Sequence, residues 1–340
     1  MPFTIYVTRD FDQMSQAAAD VVEADVRQTQ AVKEEYVLGL ATGNTPTGLY
    51  KHLAKACNAG RIDPCRIRSF NLDEYVGLPG ENAQQRALHR ESYTYFMVSE
   101  LFALLARPFR ETNVPWGTLV DQGELIEALN RYPDCYEVRG RDRGRAVVIK
   151  ESAEGLLRFV EDEVLSAYAG KIASVGGIDL QVLGIGGRGH VAFHESGIPF
   201  DCPPVMLVRL DDNTVENAVA DGHFPAVEAG PRYAVSMSAD LVYRARTVVL
   251  LANGPRKTGP ISESILGPVT CDVPASRGQR FVEEGGRLIY VLDEAAAAEV
   301  LARRAEIEAL GHEIVDLRQQ PYTPVGALSF SRDPDAGHLW

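Results

Sequence analysis

Short runs of β-forming residues alternate with amphipathic helical patterns along the chain, and this alternation restricts its fold more than any other feature. Residues 4–7 precede a helical pattern over Phe11–Gln30, and the run YVLGLA precedes another over Thr47–Asn58. Further β-rich runs are IRSFNL, IDLQVLGIG, PVMLVRL, RTVVLLANG and RLIYVLD. The order predicts an α/β, Rossmann-like fold with a mainly parallel sheet and helices on both faces.

Parallel strands place their carboxyl ends at one edge of the sheet, and α/β proteins bind their ligands at that edge. The loops that follow Leu40, Leu72, Leu183 and Ala252 are therefore the segments in which we expect functional residues.

The chain is expected to form one α/β domain over residues 1–317. An excursion around residues 108–150, rich in Pro, Gly and charge, interrupts the alternation. Residues 318–340 have no periodicity and are expected to form a C-terminal extension on the surface. No internal repeat or long linker divides the chain, which favours one domain with embellishments.

The charge of the chain limits its partners. It has 34 Lys and Arg against 47 Asp and Glu, a net charge of −13, and a pI near 5.1. Broad electrostatic attraction to nucleic acid or to an anionic membrane is therefore not expected, and an anionic ligand needs a local positive pocket. The expected partner is a small molecule, and a homo-oligomer is left open.

The five cysteines indicate a reducing compartment. They are Cys57, Cys65, Cys135, Cys202 and Cys271, without a CxxC pair or regular spacing, so neither a disulfide frame nor a zinc site is predicted. The first residues lack a basic segment followed by an apolar one, and no apolar stretch approaches about twenty residues. We expect a cytoplasmic protein.

The first candidate site is the turn of Thr42, Gly43, Asn44 and Thr45 between a strand and a helix. Pro46 can start that helix. Backbone amides at such a turn, the helix dipole and the threonine hydroxyls together suit a phosphate. The alternative is an ordinary βα turn in which Thr45 is the helix N-cap.

The second candidate site is the pair Asp73 and Glu74, which we expect at the end of a β-rich run. Apolar neighbours can desolvate a carboxylate there and tune it as a general base, while the alternative is a pair that caps a helix. Lys257 follows another predicted strand and can supply a positive charge, unless it is a solvated surface lysine.

The third candidate site is the glycine-rich run LGIGGRGHVAFHESG. His190 on this turn, with Glu195 five residues later, is expected to be catalytic, whereas His194 is expected to be structural. The two histidines have the i, i+4 spacing of a helical zinc site but lack the HExxH glutamate, so no metal is predicted.

Taken in order, LGLATGNTPTGLYKHL, FNLDEYVGL, ESYTYFM, LGIGGRGHVAFHE, PRYAVSMS, ANGPRKT and VPASRGQ resemble the glucosamine-6-phosphate deaminase (isomerase) family. The DEY segment and the GHxAF core with its trailing glutamate also occur, more loosely, in the related 6-phosphogluconolactonases. The tyrosine-rich pairing of DEYVGL with ESYTYFM favours the deaminases.

The resemblance implies an isomerase-deaminase that acts on an amino-sugar phosphate without a metal or organic cofactor. It implies that the Thr42 to Thr45 turn and Lys257 hold the phosphate and that His190 assists ring opening. It further implies that Asp73 carries the C2 proton towards C1 and that Glu195 orients His190. Loss of ammonia from C2 then gives the ketose phosphate.

The chain departs from the family at three points. Arg188 stands where the family has an aspartate two residues before the histidine, and His194 replaces an asparagine. The arginine expected in the lid has no clear counterpart near Thr214 and Asn217. Arg188 is expected to bind a substrate anion in its place, because guanidinium suits bidentate anions. The alternative is a solvated loop residue in a protein that has lost the activity.

Two alternatives to the deaminase remain open. One is a lactonase or an aldose-ketose isomerase for a different sugar acid or sugar phosphate, which ammonia release would separate. The other is a non-catalytic sugar-phosphate-binding protein, against which stands the lack of an N-terminal helix-turn-helix or basic patch.

Overall fold

The computed structural model describes residues 3–141, 144–220 and 222–330, and the structural statements below refer to these residues. The strands are β1 (Thr4–Thr8), β2 (Tyr36–Leu40), β3 (Ile67–Asn71), β4 (Asp73–Val76), β5 (Glu111–Asn113), β6 (Tyr136–Arg139), β7 (Arg145–Ile149), β8 (Leu180–Leu183), β9 (Val205–Arg209), β10 (Tyr233–Met237), β11 (Thr247–Ala252), β12 (Arg287–Asp293) and β13 (Glu313–Asp316).

The α-helices are α1 (Phe11–Gln30), α2 (Thr47–Asn58), α3 (Ala83–Ala87), α4 (Tyr93–Glu100), α5 (Gln122–Arg131), α6 (Gly155–Phe159), α7 (Ala167–Ser174), α8 (Asp212–Ala220), α9 (Ala239–Val242), α10 (Thr258–Leu266), α11 (Arg277–Glu283), α12 (Ala298–Ala302) and α13 (Arg304–Ala309). A π-helical turn, Val160–Ser166, joins α6 to α7. The 3₁₀ turns are Pro64–Arg66, Phe102–Leu104, Trp116–Leu119, Pro133–Cys135, Val227–Ala229, Pro255–Lys257, Pro274–Ser276 and Val325–Ala327.

The larger sheet confirms the predicted α/β class. Its eight strands within the described residues run in the order β13-β1-β12-β11-β8-β2-β3-β5, and all neighbours are parallel. The predicted helices over Phe11–Gln30 and Thr47–Asn58 form with those bounds. The four loops that the sequence marks for function follow β2, β3, β8 and β11, which are adjacent in this sheet.

A second sheet, antiparallel and ordered β4-β10-β9-β7-β6, is not predicted from the sequence. The run PVMLVRL forms β9 in this sheet, whereas the other six β-rich runs named above form strands of the parallel sheet. Leu207 packs into the main core, whereas Met206 and Val208 pack into a smaller one. A strand that is buried on both faces is continuously apolar whether its neighbours are parallel or antiparallel. The sheet it joins is therefore decided by its partner strands and not by its own sequence pattern.

Asp73 does not end a strand, as the sequence predicted, but begins one. The chain leaves β3 at Asn71 and enters the second sheet at Asp73. Between them the Leu72 N–H donates to the Leu40 carbonyl at 3.1 Å, and the Leu72 carbonyl accepts the Met237 N–H at 2.8 Å. Leu72 therefore joins the two sheets and places Asp73 at their junction.

The 108–150 excursion adds strands to both sheets. β5 lies at the edge of the parallel sheet beside β3, and β6 and β7 extend the antiparallel sheet. The division of the chain into a domain and embellishments stays a prediction.

The described part of the C-terminal extension lies against α1. Tyr322 Oη donates to Asp10 Oδ2 at 2.7 Å, and the Thr323 N–H donates to Gln16 Oε1 at 2.6 Å. Residues 331–340 of the predicted extension lie outside the described residues. None of the helices in the described segments is long and apolar enough to cross a membrane.

Candidate active site

A cavity of about 450 Å³ lies where the loops after β2, β8 and β11 meet. The second sheet and the segments of α4 and α8 complete its walls. The described residues that line it are Gly43, Tyr75, Arg90, Glu91, Ser92, Tyr93, Phe96, Gly186, Gly187, His190, Phe193, Thr214, Asn217, Ala218, His223, Arg256 and Lys257. A space of this size, at the carboxyl edge of a parallel sheet, suits one small molecule.

His190 and Glu195 are paired within the turn that follows β8. His190 Nδ1 lies 3.0 Å from Glu195 Oε2, and the two side chains are 20% and 2% exposed. The imidazole lines the cavity, and a Cβ on Gly186 would overlap it. A carboxylate on one ring nitrogen fixes the orientation of the ring, so Nε2 is the atom that can exchange a proton with a ligand.

Several groups hold Glu195 in its ionised form. Burial acts to raise the pKa of Glu195, but the charge and hydrogen bond of His190 oppose it, as do hydrogen bonds from the Thr214 side chain and the Asp211 backbone. The net pKa lies below the ordinary value. Glu195 can therefore balance a positive charge that forms on His190.

Asp73 is 6% exposed and lies next to Phe193, a residue of the cavity lining. Burial raises the pKa of Asp73 well above its usual value, and the charges of Glu74 and Glu195 raise it further, against a hydrogen bond from the Phe193 N–H. Phe193 lines the cavity, but Asp73 is not among the described residues that do. A desolvated carboxyl of this kind is a stronger proton acceptor than an exposed one.

Glu74 holds the start of α4. Its carboxylate accepts the backbone N–H groups of Tyr75, Tyr93 and Thr94, each at 2.9 Å, and the Thr94 hydroxyl at 3.1 Å. Burial raises the pKa of Glu74 to about 7 against these hydrogen bonds. The helix-capping alternative therefore describes Glu74, although the helix is not the next one along the chain.

The turn after β2 reaches the cavity at Gly43, whose φ of 92° lies in the left-handed region that favours glycine. Thr45 Oγ1 donates to Asn253 Oδ1 at 2.9 Å. The N-cap of α2 is Pro46, with no side-chain hydrogen bond at that end. Thr45 is therefore not the N-cap of α2, and its hydroxyl instead ties this turn to the loop after β11.

The other polar residues of the turn also have partners. The Thr42 side chain hydrogen-bonds Tyr93, and the Asn44 carbonyl accepts the Thr47 hydroxyl at 2.9 Å. These contacts fix the turn beside the cavity without placing Thr42 or Asn44 among its described lining residues.

Lys257 lies opposite in the same cavity, at the end of the 3₁₀ turn after β11. Its Nζ donates to the Ile185 carbonyl at 2.6 Å, in the loop that carries His190. The structure thus brings together Gly43, His190 and Lys257, which lie on loops that follow three different strands.

Comparison with known proteins shows the family of the chain. No protein-family model matches the chain. A glucosamine-6-phosphate deaminase of Clostridium perfringens (strain SM101 / Type A) is 31% identical over 293 residues, which cover 86% of this chain and 98% of the relative. A glucosamine-6-phosphate deaminase of Clostridium acetobutylicum is 32% identical over the same length and shares. The chain belongs to the glucosamine-6-phosphate deaminase family.

Solved structures agree with the fold of this deaminase family. A monomeric glucosamine-6-phosphate deaminase superposes with a TM-score of 0.64 at 23% identity, over 87% of this chain and 99% of the other. A 6-phosphogluconolactonase of Trypanosoma brucei superposes with a TM-score of 0.56 at 20% identity, over 88% and 98%. The predicted resemblance is confirmed, including the structural relation to the lactonases.

Arg188, the residue that departs most from the deaminase pattern, is not among the described residues that line the cavity. Its Nη1 lies 3.0 Å from Asp211 Oδ2. Direct binding of a substrate anion by Arg188 stays a prediction.

His194, the second departure from the deaminase pattern, is fully buried and has a partner at each ring nitrogen. Nδ1 accepts the Ala239 N–H at 3.1 Å, and Nε2 lies 2.9 Å from the Ile198 carbonyl. Burial lowers the pKa of His194 to about 4. His194 is thus a structural, neutral histidine whose nitrogens are not available to a metal. Within the described segments, no group of three His, Cys, Asp or Glu residues could hold a metal ion.

Several of the residues that line the cavity were not predicted from the sequence. Tyr75, Tyr93 and Phe193 form an aromatic wall, with the Tyr75 ring 4.8 Å from Tyr93 and 5.4 Å from Phe193 between centroids. The two tyrosines occur in segments that carried the resemblance, but nothing in their spacing assigned a role. Arg90 and Arg256 also line the cavity, and the position of Arg256 beside Lys257 was the only available signal.

Proposed function

We propose that this chain is an active glucosamine-6-phosphate deaminase that converts the amino-sugar phosphate to a ketose phosphate and ammonia. The observation that carries the proposal is that His190, paired with Glu195, lines the same cavity as Lys257, while the desolvated carboxyl of Asp73 accepts a hydrogen bond from the lining residue Phe193. Aldose-ketose conversion needs a group for the ring oxygen and a carboxylate that moves a proton between adjacent carbons.

The phosphate is bound by Lys257 and by the turn at Thr42, Gly43, Asn44 and Thr45. The turn precedes α2, whose N-terminal amides and dipole favour an anion. Arg90 and Arg256 add positive charge to the lining of the cavity, which supports an anionic substrate in a chain with a net charge of −13. They also offer guanidinium groups in a chain that lacks a clear lid arginine.

His190 opens the sugar ring. Nε2 accepts the proton of the C1 hydroxyl and delivers it to the ring oxygen O5 as the C1–O5 bond breaks, which gives the open-chain aldehyde. Glu195 stabilises the imidazolium that forms in this step, because its carboxylate lies 3.0 Å from Nδ1.

Asp73 then moves one proton between carbons. Its carboxylate removes the proton from C2 while the C1 carbonyl oxygen takes a proton from the C2 ammonium, which gives an enolamine. Asp73 then returns its proton to C1, which leaves an iminium at C2. Water adds to C2, and ammonia leaves as the C2 ketone forms. The raised pKa of Asp73 suits both halves of this transfer, since the group must accept the proton and release it.

The proposed reaction uses no metal or organic cofactor. The partner is the small-molecule substrate, without nucleic acid or a membrane. A cytoplasmic location and the oligomeric state stay predictions.

The test is release of ammonia and ketose phosphate from glucosamine 6-phosphate, measured by coupled assays. Glucosamine without phosphate and 6-phosphogluconolactone serve as parallel substrates, and Asp73→Asn is the inactive control. Turnover of glucosamine 6-phosphate, without turnover of the other two substrates, supports the proposal. Hydrolysis of the lactone without ammonia release would favour the lactonase, and binding of the sugar phosphate without turnover of any substrate would favour a sugar-phosphate-binding protein.

A further inference from the structure

Arg188 and Asp211 join the turn that carries His190 to the segment that begins α8. Arg188 Nη1 lies 3.0 Å from Asp211 Oδ2, and the two side chains are 36% and 9% exposed. The residues are 23 positions apart, so the contact depends on the fold. Because Asp211 is the more buried partner, loss of the arginine leaves a poorly solvated carboxylate without its counter-charge.

Asp211 also sets the first turn of α8. Its Oδ1 accepts the Asn213 N–H at 3.2 Å, and its carbonyl oxygen accepts the Thr214 N–H at 2.9 Å. Thr214 and Asn217 of this helix line the cavity. A displacement of Asp211 would therefore move one wall of the site.

The same segment contacts the catalytic pair. The Asp211 N–H donates to Glu195 Oε1 at 3.4 Å, and Glu195 Oε2 holds His190. Glu195 also accepts the Thr214 side chain. The contacts thus run from Arg188 to Asp211, from Asp211 to Glu195 and from Glu195 to His190. The ring is closed by the chain itself, because residues 188 and 190 are two peptide bonds apart.

We propose that Arg188 is a positioning residue, which holds Asp211 so that Glu195 and the first turn of α8 keep His190 in its working orientation. The carboxylates of Asp211 and Glu195 both belong to this set of contacts. A cation at position 188 offsets the repulsion between them. The aspartate that the family has at this position would add a third negative charge. The kinetic part of the proposal rests on the proposed deaminase activity.

The test compares the native protein with Arg188→Gln, Asp211→Asn, the double variant and Arg188→Lys. Arg188→Gln leaves Asp211 unpaired, so kcat should fall about ten- to a hundredfold, the size of effect that a small misplacement of catalytic groups produces, with little change in KM. Asp211→Asn keeps an oxygen for the Asn213 N–H and should be milder. The double variant removes both charges and should recover to within about threefold of Asp211→Asn, while Arg188→Lys should retain most of the activity.

Two readouts do not need turnover. Hydrogen exchange of the amides in residues 213–218 should be faster in Arg188→Gln and return towards native rates in the double variant. The ¹⁵N signal of the His190 imidazole, assigned with a His190→Gln protein, should shift in Arg188→Gln and be restored in the same way. If the native protein has no deaminase activity, these readouts still decide the positioning role.

Two results would overturn the proposal. A rise in KM for phosphorylated substrates at unchanged kcat, not relieved by Asp211→Asn, would make Arg188 a substrate-binding residue. Unchanged hydrogen exchange and an unchanged His190 signal in Arg188→Gln would show that the ion pair positions nothing.

Discussion

Gly186 and His190 pack so closely that any side chain at position 186 would overlap the imidazole. The Gly186 N–H also donates to the His190 carbonyl at 2.9 Å, which closes the turn between them. The orientation of His190, the proposed ring-opening group, therefore depends on the absence of a side chain at position 186.

Gly186→Ala is expected to displace the His190 ring and to lower kcat by about a hundredfold, because a shift of about 1 Å in a catalytic group has effects of this size. Gly184→Ala is the matched control, since a Cβ there meets nothing within 4 Å. The measurement is kcat for ammonia release, with thermal unfolding of both variants. Equal activity of the two variants would show that His190 is not held by this contact or does not act in turnover.

Asp73→Asn is expected to lower kcat by about a hundredfold or more, because the amide cannot accept the C2 proton. The fold should be as stable as the native one or more stable. The folded-state pKa of Asp73 is raised above the value of 3.8 by burial first, so its ionised form opposes folding above that pH, and the neutral amide removes this cost.

Activity and thermal unfolding are measured together for this variant. The pH profile of native kcat should also show an acidic limb well above that of an exposed aspartate, because Asp73 must lose its proton to act. Normal turnover by Asp73→Asn, or a limb at the ordinary aspartate value, would contradict the assignment.

Lys257→Met is expected to raise KM for glucosamine 6-phosphate by about ten- to a hundredfold, because a charge-assisted hydrogen bond to the phosphate is lost. KM for unphosphorylated glucosamine, if it is turned over, should change much less. The control is Lys55→Met, an exposed lysine of α2 whose Nζ contacts the Ser329 carbonyl. Equal effects on both substrates would mean that Lys257 acts through the Ile185 carbonyl and not through a phosphate.

His194→Asn is expected to change how stability depends on pH. The folded-state pKa of His194 is lowered to about 4, chiefly by burial, from 6.5. As the pH falls from 6.5 towards 4, the unfolded chain binds a proton that the folded protein does not, so the native free energy of unfolding decreases. Asparagine cannot titrate and lacks this contribution, which is on the order of 3 kcal/mol at most.

Urea unfolding of the native protein and of His194→Asn at about pH 7 and about pH 4.5 measures the difference. The native protein should lose more stability than the variant between the two pH values. Parallel losses would show that His194 is protonated in the folded state and would remove its assignment as a neutral structural group.

Much of the architecture follows from the sequence itself. The bounds of α1 and α2, the strands of the parallel sheet other than β5 and β13, and the loops that carry the cavity are encoded in local apolar periodicity and in the glycines that break it. The pairing of His190 with Glu195 was also accessible, because both residues lie on one short turn. These features depend on neighbours a few residues apart.

Only the tertiary structure decided the features that join distant parts of the chain. β9 is apolar throughout, and its place in the antiparallel sheet depends on β7 and β10. Thr45 meets Asn253 across 208 positions, and Arg188 meets Asp211 instead of the cavity. The proton affinity of Asp73 likewise comes from its burial between two sheets. Periodicity fixes which residues are buried, but the partner of a buried polar group is chosen by the packing of elements far apart in sequence.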